Sequence, residues 1–117
     1  METTNLGNST VVKLIERIDS LSSREVETTL QAVLAGGARN VICDFAATKY
    51  ISSAGLRVLL VIAKELKKAG GRLVLVCAKT GYVYEVLETA GFTSMIPTFG
   101  SVTEAAQAAN QPGGTAR

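Results

Sequence analysis

Residues 44–60 read DFAATKYISSAGLRVLL and set two adjacent serines, Ser52 and Ser53, between an apolar strand and a long apolar-faced helix. Asn40 to Phe45 is apolar without alternation, which predicts a strand covered on both faces. From about Ser53 to Lys68, Leu56, Leu59, Leu60, Ala63 and Leu66 or Lys67 recur at helical spacing, and Ala69-Gly70-Gly71 closes the segment. The helix therefore starts almost at the second serine. A hydroxyl at Ser53 would sit where the first backbone N–H groups lack intrahelical acceptors and the helix dipole is positive, a place that tolerates a phosphate. The junction is a candidate on/off point as well as a connection.

Outward from it, Thr10 to Ile15 is rich in β-branched residues and predicts a strand after a polar start, followed by a loop through Asp19 and Ser20. Ser22 with Glu25 fits a capping box, and Val26, Leu30, Val33 and Leu34 keep helical spacing until Gly36-Gly37. Arg72 to Cys77 predicts a second buried strand. Val83, Val86, Leu87 and Ala90 predict a helix closed by Gly91. Met95 to Phe99 can be only a short strand, which Pro97 assigns to a sheet edge. Ser101 and Glu104 form a second capping box, opening an alanine-rich helix to about Ala109. The pattern bounds a domain at 1–109, and residues 110–117, with Pro112-Gly113-Gly114, predict a flexible tail. Strands alternating with helices at this pitch indicate an α/β sheet layered with helices.

The 117 residues, 47% apolar, suffice for one domain with a core that needs no disulfide. A formal charge of +2 gives no basic field for nucleic acid or anionic membrane. Lys64-Glu65-Leu66-Lys67-Lys68 reads as a solvated helix face near a C-terminus that favours cations. The N-terminus is polar, and Val58 to Ala63 is far shorter than the roughly 20 apolar residues of a membrane span, so a cytoplasmic location without membrane insertion is expected. Cys43 and Cys77 lie in apolar runs, where an unpaired cysteine behaves as a small hydrophobe, and no metal-ligand spacing exists. There is no histidine. That removes Ser-His-Asp and Cys-His arrangements together with the commonest general base. The serine turn lacks the Gly-x-Ser-x-Gly of a nucleophile elbow, and neither a phosphate-cradling nor a dinucleotide glycine pattern occurs. No catalytic residue, cofactor or metal is expected.

Asp44-Phe45 followed by Tyr50-Ile51-Ser52-Ser53-Ala54-Gly55-Leu56-Arg57-Val58-Leu59-Leu60 resembles the signature of STAS domains, especially bacterial anti-sigma factor antagonists. Arg17-Ile18-Asp19-Ser20, Lys68-Ala69-Gly70-Gly71-Arg72-Leu73 and Glu88-Thr89-Ala90-Gly91-Phe92 extend the likeness along most of the chain. The resemblance implies a single-domain STAS-like α/β fold, with a mixed central sheet of four to five strands layered with about four helices. It also implies a non-catalytic regulator that works by partner switching. In that family the unmodified antagonist binds an anti-sigma factor, which is also its serine kinase, and phosphorylation of a serine at the helix start breaks the complex until a serine phosphatase restores it. The matching acceptor here is Ser53. Two residues depart from the pattern: Ser52 stands where the family has Asp, and Ala54 replaces a neighbouring hydroxyl, which narrows the acceptor to Ser53 or Ser52.

Of the two, Ser53 is favoured because Arg57, one turn on, can approach a phosphate there at i, i+4. Serine is also a preferred N-cap, so either residue could simply start the helix, and the two roles are compatible. Asp19, which the resemblance places in a loop near the serine junction, reads either as a polar contact to the kinase partner or support for phosphotransfer geometry, or as an Asx turn between strand and helix. Tyr50 and Lys49 read as packing or as contact surface. The expected partner-facing set is Asp19, Ser20, Tyr50, Ser52, Ser53, Ala54, Gly55 and Arg57. A different reading of the same fold is a STAS subunit of a larger assembly, a lipid-transport ABC complex or a stress-signalling scaffold, with a structural serine. A homo-oligomer formed through the sheet edge is compatible with the pattern.

Overall fold

A computed structural model of the protein describes residues 1–110, and the expected tail beyond Asn110 lies outside the described residues. The chain runs β1 (Glu2–Leu6), β2 (Ser9–Lys13), β3 (Arg17–Ile18), α1 (Ser23–Ala35), β4 (Asn40–Asp44), β5 (Tyr50–Ile51), α2 (Ser53–Lys68), β6 (Arg72–Val76), α3 (Tyr82–Thr89), the one-turn α4 (Phe92–Met95), β7 (Thr98–Phe99) and α5 (Val102–Asn110). A five-stranded sheet has the order β1-β2-β4-β6-β7, with β1 antiparallel to β2 and every other pair parallel. It is the mixed α/β sheet that the sequence predicts.

Alternate residues of the central strands feed two cores. Val12, Val41, Cys43, Leu73 and Leu75 face α1, α2 and α3, packing with Val26, Leu30, Leu59, Ile62, Leu66 and Leu87. Val11, Ile42, Val74 and Val76 face α5 through Ala105 and Ala106. Strands covered on both faces carry no polar alternation. Each fully buried aliphatic side chain contributes about 2 kcal/mol of transfer free energy. Because the crossovers return each helix against the strand direction, α1 and α2 start at the same end of the molecule, beyond the carboxyl ends of the strands.

Several expectations shift. The polar start is strand β1, exposed along its whole length and turned into β2 through Gly7 at φ 62°; it is held by backbone pairing with β2 and by the Thr10 hydroxyl, which donates to Asn5 Oδ1 at 3.3 Å. The strand expected to reach Ile15 ends at Lys13, although the Leu14 N–H still donates to the Asp44 carbonyl at 2.9 Å. The α2 stripe is Gly55, Val58, Leu59, Ile62 and Leu66, with Lys67 exposed and Leu56, Leu60 and Ala63 only partly buried. Every position from Val58 to Ala63 is apolar, so periodicity alone does not fix which face of that stretch turns inward. The Ser22 capping box does not form, since Ser22 is itself helical and its hydroxyl is used elsewhere. The Ser101 box does form, its oxygen accepting from the Glu104 N–H at 3.2 Å. Met95 belongs to α4, leaving only Thr98 and Phe99 as the edge strand, where the Pro97 carbonyl accepts from the Leu75 N–H at 2.9 Å.

Candidate functional site

The site is built on a second, two-stranded sheet that the sequence pattern does not reveal. β3 and β5 pair in parallel, Arg17 opposite Tyr50 and Ile18 opposite Ile51. The pairing continues into the helix start, where the Ser52 N–H donates to the Ile18 carbonyl at 2.8 Å. Thr48, buried just before β5, donates its hydroxyl to the Ile15 carbonyl at 2.8 Å and fixes the loop leading in. The turn carrying Asp19 and the turn carrying the serines are thus adjacent by backbone bonding.

At the serine junction the two hydroxyls divide the roles. Ser52 is extended, φ −91° and ψ 171°, and its oxygen accepts from the Gly55 N–H at 3.3 Å, so it is the N-cap of α2. Ser53 is the first helical residue, is exposed, and its hydroxyl makes no hydrogen bond among the described residues. The capping reading therefore falls on Ser52. Gly55 is buried beneath both, where a Cβ would lie 2.8 Å from Ile18 Cγ2 and 2.8 Å from Ile51 Cγ1. Only a glycine lets the first turn of α2 settle this closely on β3 and β5. Gly55 supports the junction from inside, while Ala54 and Arg57 stand on the outer side facing α1.

Asp19 forms the Asx turn. Its Oδ1 accepts from the Leu21 N–H at 3.0 Å, the Ser22 N–H at 2.8 Å and the Ser22 hydroxyl at 3.0 Å. The single Ser22 hydroxyl proton is shared between Asp19 Oδ1 and the Arg17 carbonyl, the latter at 2.8 Å, and Ser22 Oγ accepts from the Asp19 N–H at 2.9 Å. The Ser22 backbone N–H and hydroxyl, with lesser help from the Leu21 N–H and the Arg17 charge, hold the Asp19 carboxyl below its ordinary range against the opposing effect of burial. Its other oxygen lies 3.6 Å from Arg17 Nε. The carboxylate is spent within its own turn and makes no hydrogen bond to Ser52 or Ser53. What the turn presents outward is Ser20 and Leu21, the latter 75% exposed.

Tyr50 is half-buried in a three-part stack. The Arg17 guanidinium lies 4.3 Å from its ring centre, and the Tyr82 ring stacks on it at 5.9 Å with an interplanar angle of 4°. Lys49 pairs with Glu16 at 3.5 Å on the surface. Sequence reasoning reached Tyr50 without its neighbours, because Tyr82 belongs to a different helix and Arg17 to a strand of two residues. Leu21 carried a signal that was missed, an apolar residue in an otherwise polar turn. Among the described residues no cluster of three or more His, Cys, Asp or Glu could hold a metal ion, and no helix is long and apolar enough to cross a membrane.

The family model of the STAS domain matches residues 1–105, which takes in both turns and all of α2. The chain belongs to the STAS domain family. This STAS domain is 44% identical over 92 residues to BtrV of Bordetella bronchiseptica, named as a candidate anti-sigma factor antagonist, covering 79% of this chain and 78% of that protein. Among solved structures it resembles an anti-sigma factor antagonist of Mycobacterium paratuberculosis, with TM-score 0.86 and 20% identity over 94% of this chain and 92% of the other. It also resembles the phosphorylated form of the Bacillus cell fate determinant SpoIIAA, with TM-score 0.71 and 17% identity over 93% and 98% of the two chains. At these identities the two structures speak for the shared STAS fold.

Proposed function

We propose that this STAS domain is a cytoplasmic anti-sigma factor antagonist that binds an anti-sigma factor with serine kinase activity while Ser53 is unmodified. Phosphorylation of Ser53 releases that partner, and a serine phosphatase resets the cycle. The observation that carries the reading is the division of labour at the junction. Ser52 satisfies the helix start, so the Ser53 hydroxyl is exposed and uncommitted. The description of BtrV and the phosphorylated state of SpoIIAA support the same reading. A phosphoserine brings about −1.5 to −2 charges and three acceptor oxygens at neutral pH. On an exposed first-turn residue this adds bulk and charge that a docked partner must desolvate, without asking the domain to refold.

The surface offered to the partner includes Ser20 and Leu21 on the Asp19 turn, Tyr50 with its flanking Arg17, and Ser53, Ala54 and Arg57 on α2. Pull-down of the tagged chain from a lysate of its source cells, with and without phosphatase treatment, tests the reading when bound proteins and Ser53 occupancy are both read by mass spectrometry. An ATPase-fold kinase retained only by the dephosphorylated form is the expected result. Binding that ignores Ser53 occupancy overturns it.

A further inference from the structure

Beside the serine junction two arginines line one groove, and neither is paired. The groove, about 350 Å³, runs between the first turns of α1 and α2 and is lined by Ser20, Arg24 and Glu27 on one side and Ala54, Arg57 and Val58 on the other. Among the described residues the ion pairs are Arg17 with Asp19 and Lys49 with Glu16, so the guanidinium groups of Arg24 and Arg57 have no carboxylate partner. Both are exposed. Ser53 comes one residue before Ala54 and one helical turn before Arg57, both of which line the groove, and the first turn of α2 contains no acidic residue.

We propose that a phosphate on Ser53 is held in cis by Arg57 and Arg24, so that modification ties α2 to α1 across this groove and withdraws both guanidinium groups from the surface a partner meets. The inference rests on the phospho-acceptor reading of Ser53 and deepens it. Residues four apart on a helix have Cβ atoms about 5–6 Å apart, and an anion that precedes the cation along the helix is the favoured order. A doubly ionised phosphate keeps net charge after one arginine has paired with it, and a planar guanidinium matches phosphate oxygens bidentately. Arg24, across the groove on α1, supplies the second cation.

The other charged groups nearby do not compete strongly. Asp19 is engaged by its own turn and by Arg17, Lys49 by Glu16, and Arg17 lies over the Tyr50 ring. Glu27 is the carboxylate that opposes the phosphate within the groove, against two arginines. In the unmodified protein both cations are exposed to solvent and neither is in an ion pair among the described residues. The phosphate supplies the bridge.

The test installs phosphoserine at position 53 by genetic-code expansion and follows its second ionisation by phosphorus NMR at low salt. The ordinary value is about 6. The expected value in the parent protein lies lower by about half a unit to one unit, with the direction set by two nearby cations. Arg57→Gln and Arg24→Gln should each recover part of the shift, the double variant all of it, and Glu27→Gln should deepen it. All three positions are outside the core, so these variants keep the fold. An ordinary value in the parent protein overturns the proposal, as does an Arg24→Gln variant that leaves the shift unchanged. Because the phosphate is installed without a kinase, failure here leaves the acceptor role of Ser53 standing. A Ser53 that is never modified in cells would conversely leave this measurement untouched.

Discussion

The Ser52 backbone N–H donates to the Ile18 carbonyl at 2.8 Å, and that bond joins the start of α2 to the turn that carries Asp19. It extends the β3 and β5 pairing by one step and places two chain segments side by side although Ser52 lies 33 positions after Asp19 in sequence. One turn is closed by Asp19 and Ser22, the other by Ser52, and Ser20, Leu21, Ser53 and Arg57 are left exposed around them.

Replacing the two serines separates structure from signalling. Ser52→Ala removes the acceptor for the Gly55 N–H and should cost about 1 kcal/mol in urea denaturation. Ser53→Ala removes an exposed hydroxyl with no partner and should stay within about 0.5 kcal/mol of the parent protein. On the proposed function it should also bind the partner constitutively and take up no kinase-dependent phosphate. Equal losses for the two variants would refute the division of roles.

Gly55→Val tests the seat of the helix. A Cβ already lies 2.8 Å from side-chain carbons of Ile18 and Ile51, and β-branched neighbours cannot swing aside cheaply. Overpacking of this kind should destabilise the domain by about 2 kcal/mol. Amide shifts should change most in the Ile51 to Arg57 segment and the Asp19 turn. An unchanged denaturation midpoint would mean that α2 can lift off β3 and β5 at no cost.

Much of this was legible in the sequence, and the gaps have physical causes. The strands covered on both faces, β4 and β6, and the exact span of α2 follow from apolar runs and glycine stops. The β1 strand was hidden because ETTNL buries nothing. The pair β3 and β5 was hidden because two residues carry no periodicity, yet it positions Asp19 beside the serines. Choosing between Ser52 and Ser53 as the N-cap needed the backbone angle at Ser52, which no residue type encodes. The groove of Arg24 and Arg57 depends on how α1 lies against α2, a tertiary relationship that spacing along either helix does not contain.

Cys43 and Cys77 should be inert in the native protein. Burial, with a smaller push from the neighbouring Asp44 charge, raises the Cys43 thiol to about 12 and raises Cys77 in the same direction. Only the thiolate reacts. An aromatic disulfide reagent at mildly alkaline pH should therefore find no thiol before denaturation and both afterwards. Rapid native labelling of either thiol would show that its burial does not protect it.

Asp19→Asn should expose the charge of the turn apart from its shape. Asparagine keeps an acceptor for the Leu21 and Ser22 N–H groups, so the variant loses the anion and little geometry. The Asp19 carboxyl in the folded protein lies below its ordinary value of 3.8. A depressed folded value means that the unfolded chain takes up the proton first as pH falls. The stabilisation is consequently complete above the ordinary value, declines as pH drops below it, and is gone once the folded carboxyl is itself protonated. The parent protein should exceed Asp19→Asn in urea stability at neutral pH, and the gap should close on the acid side of that value. A gap that stays constant through the acid range would show that the variant differs in turn geometry, and that the carboxylate charge contributes nothing to holding Leu21 and Ser22 in place.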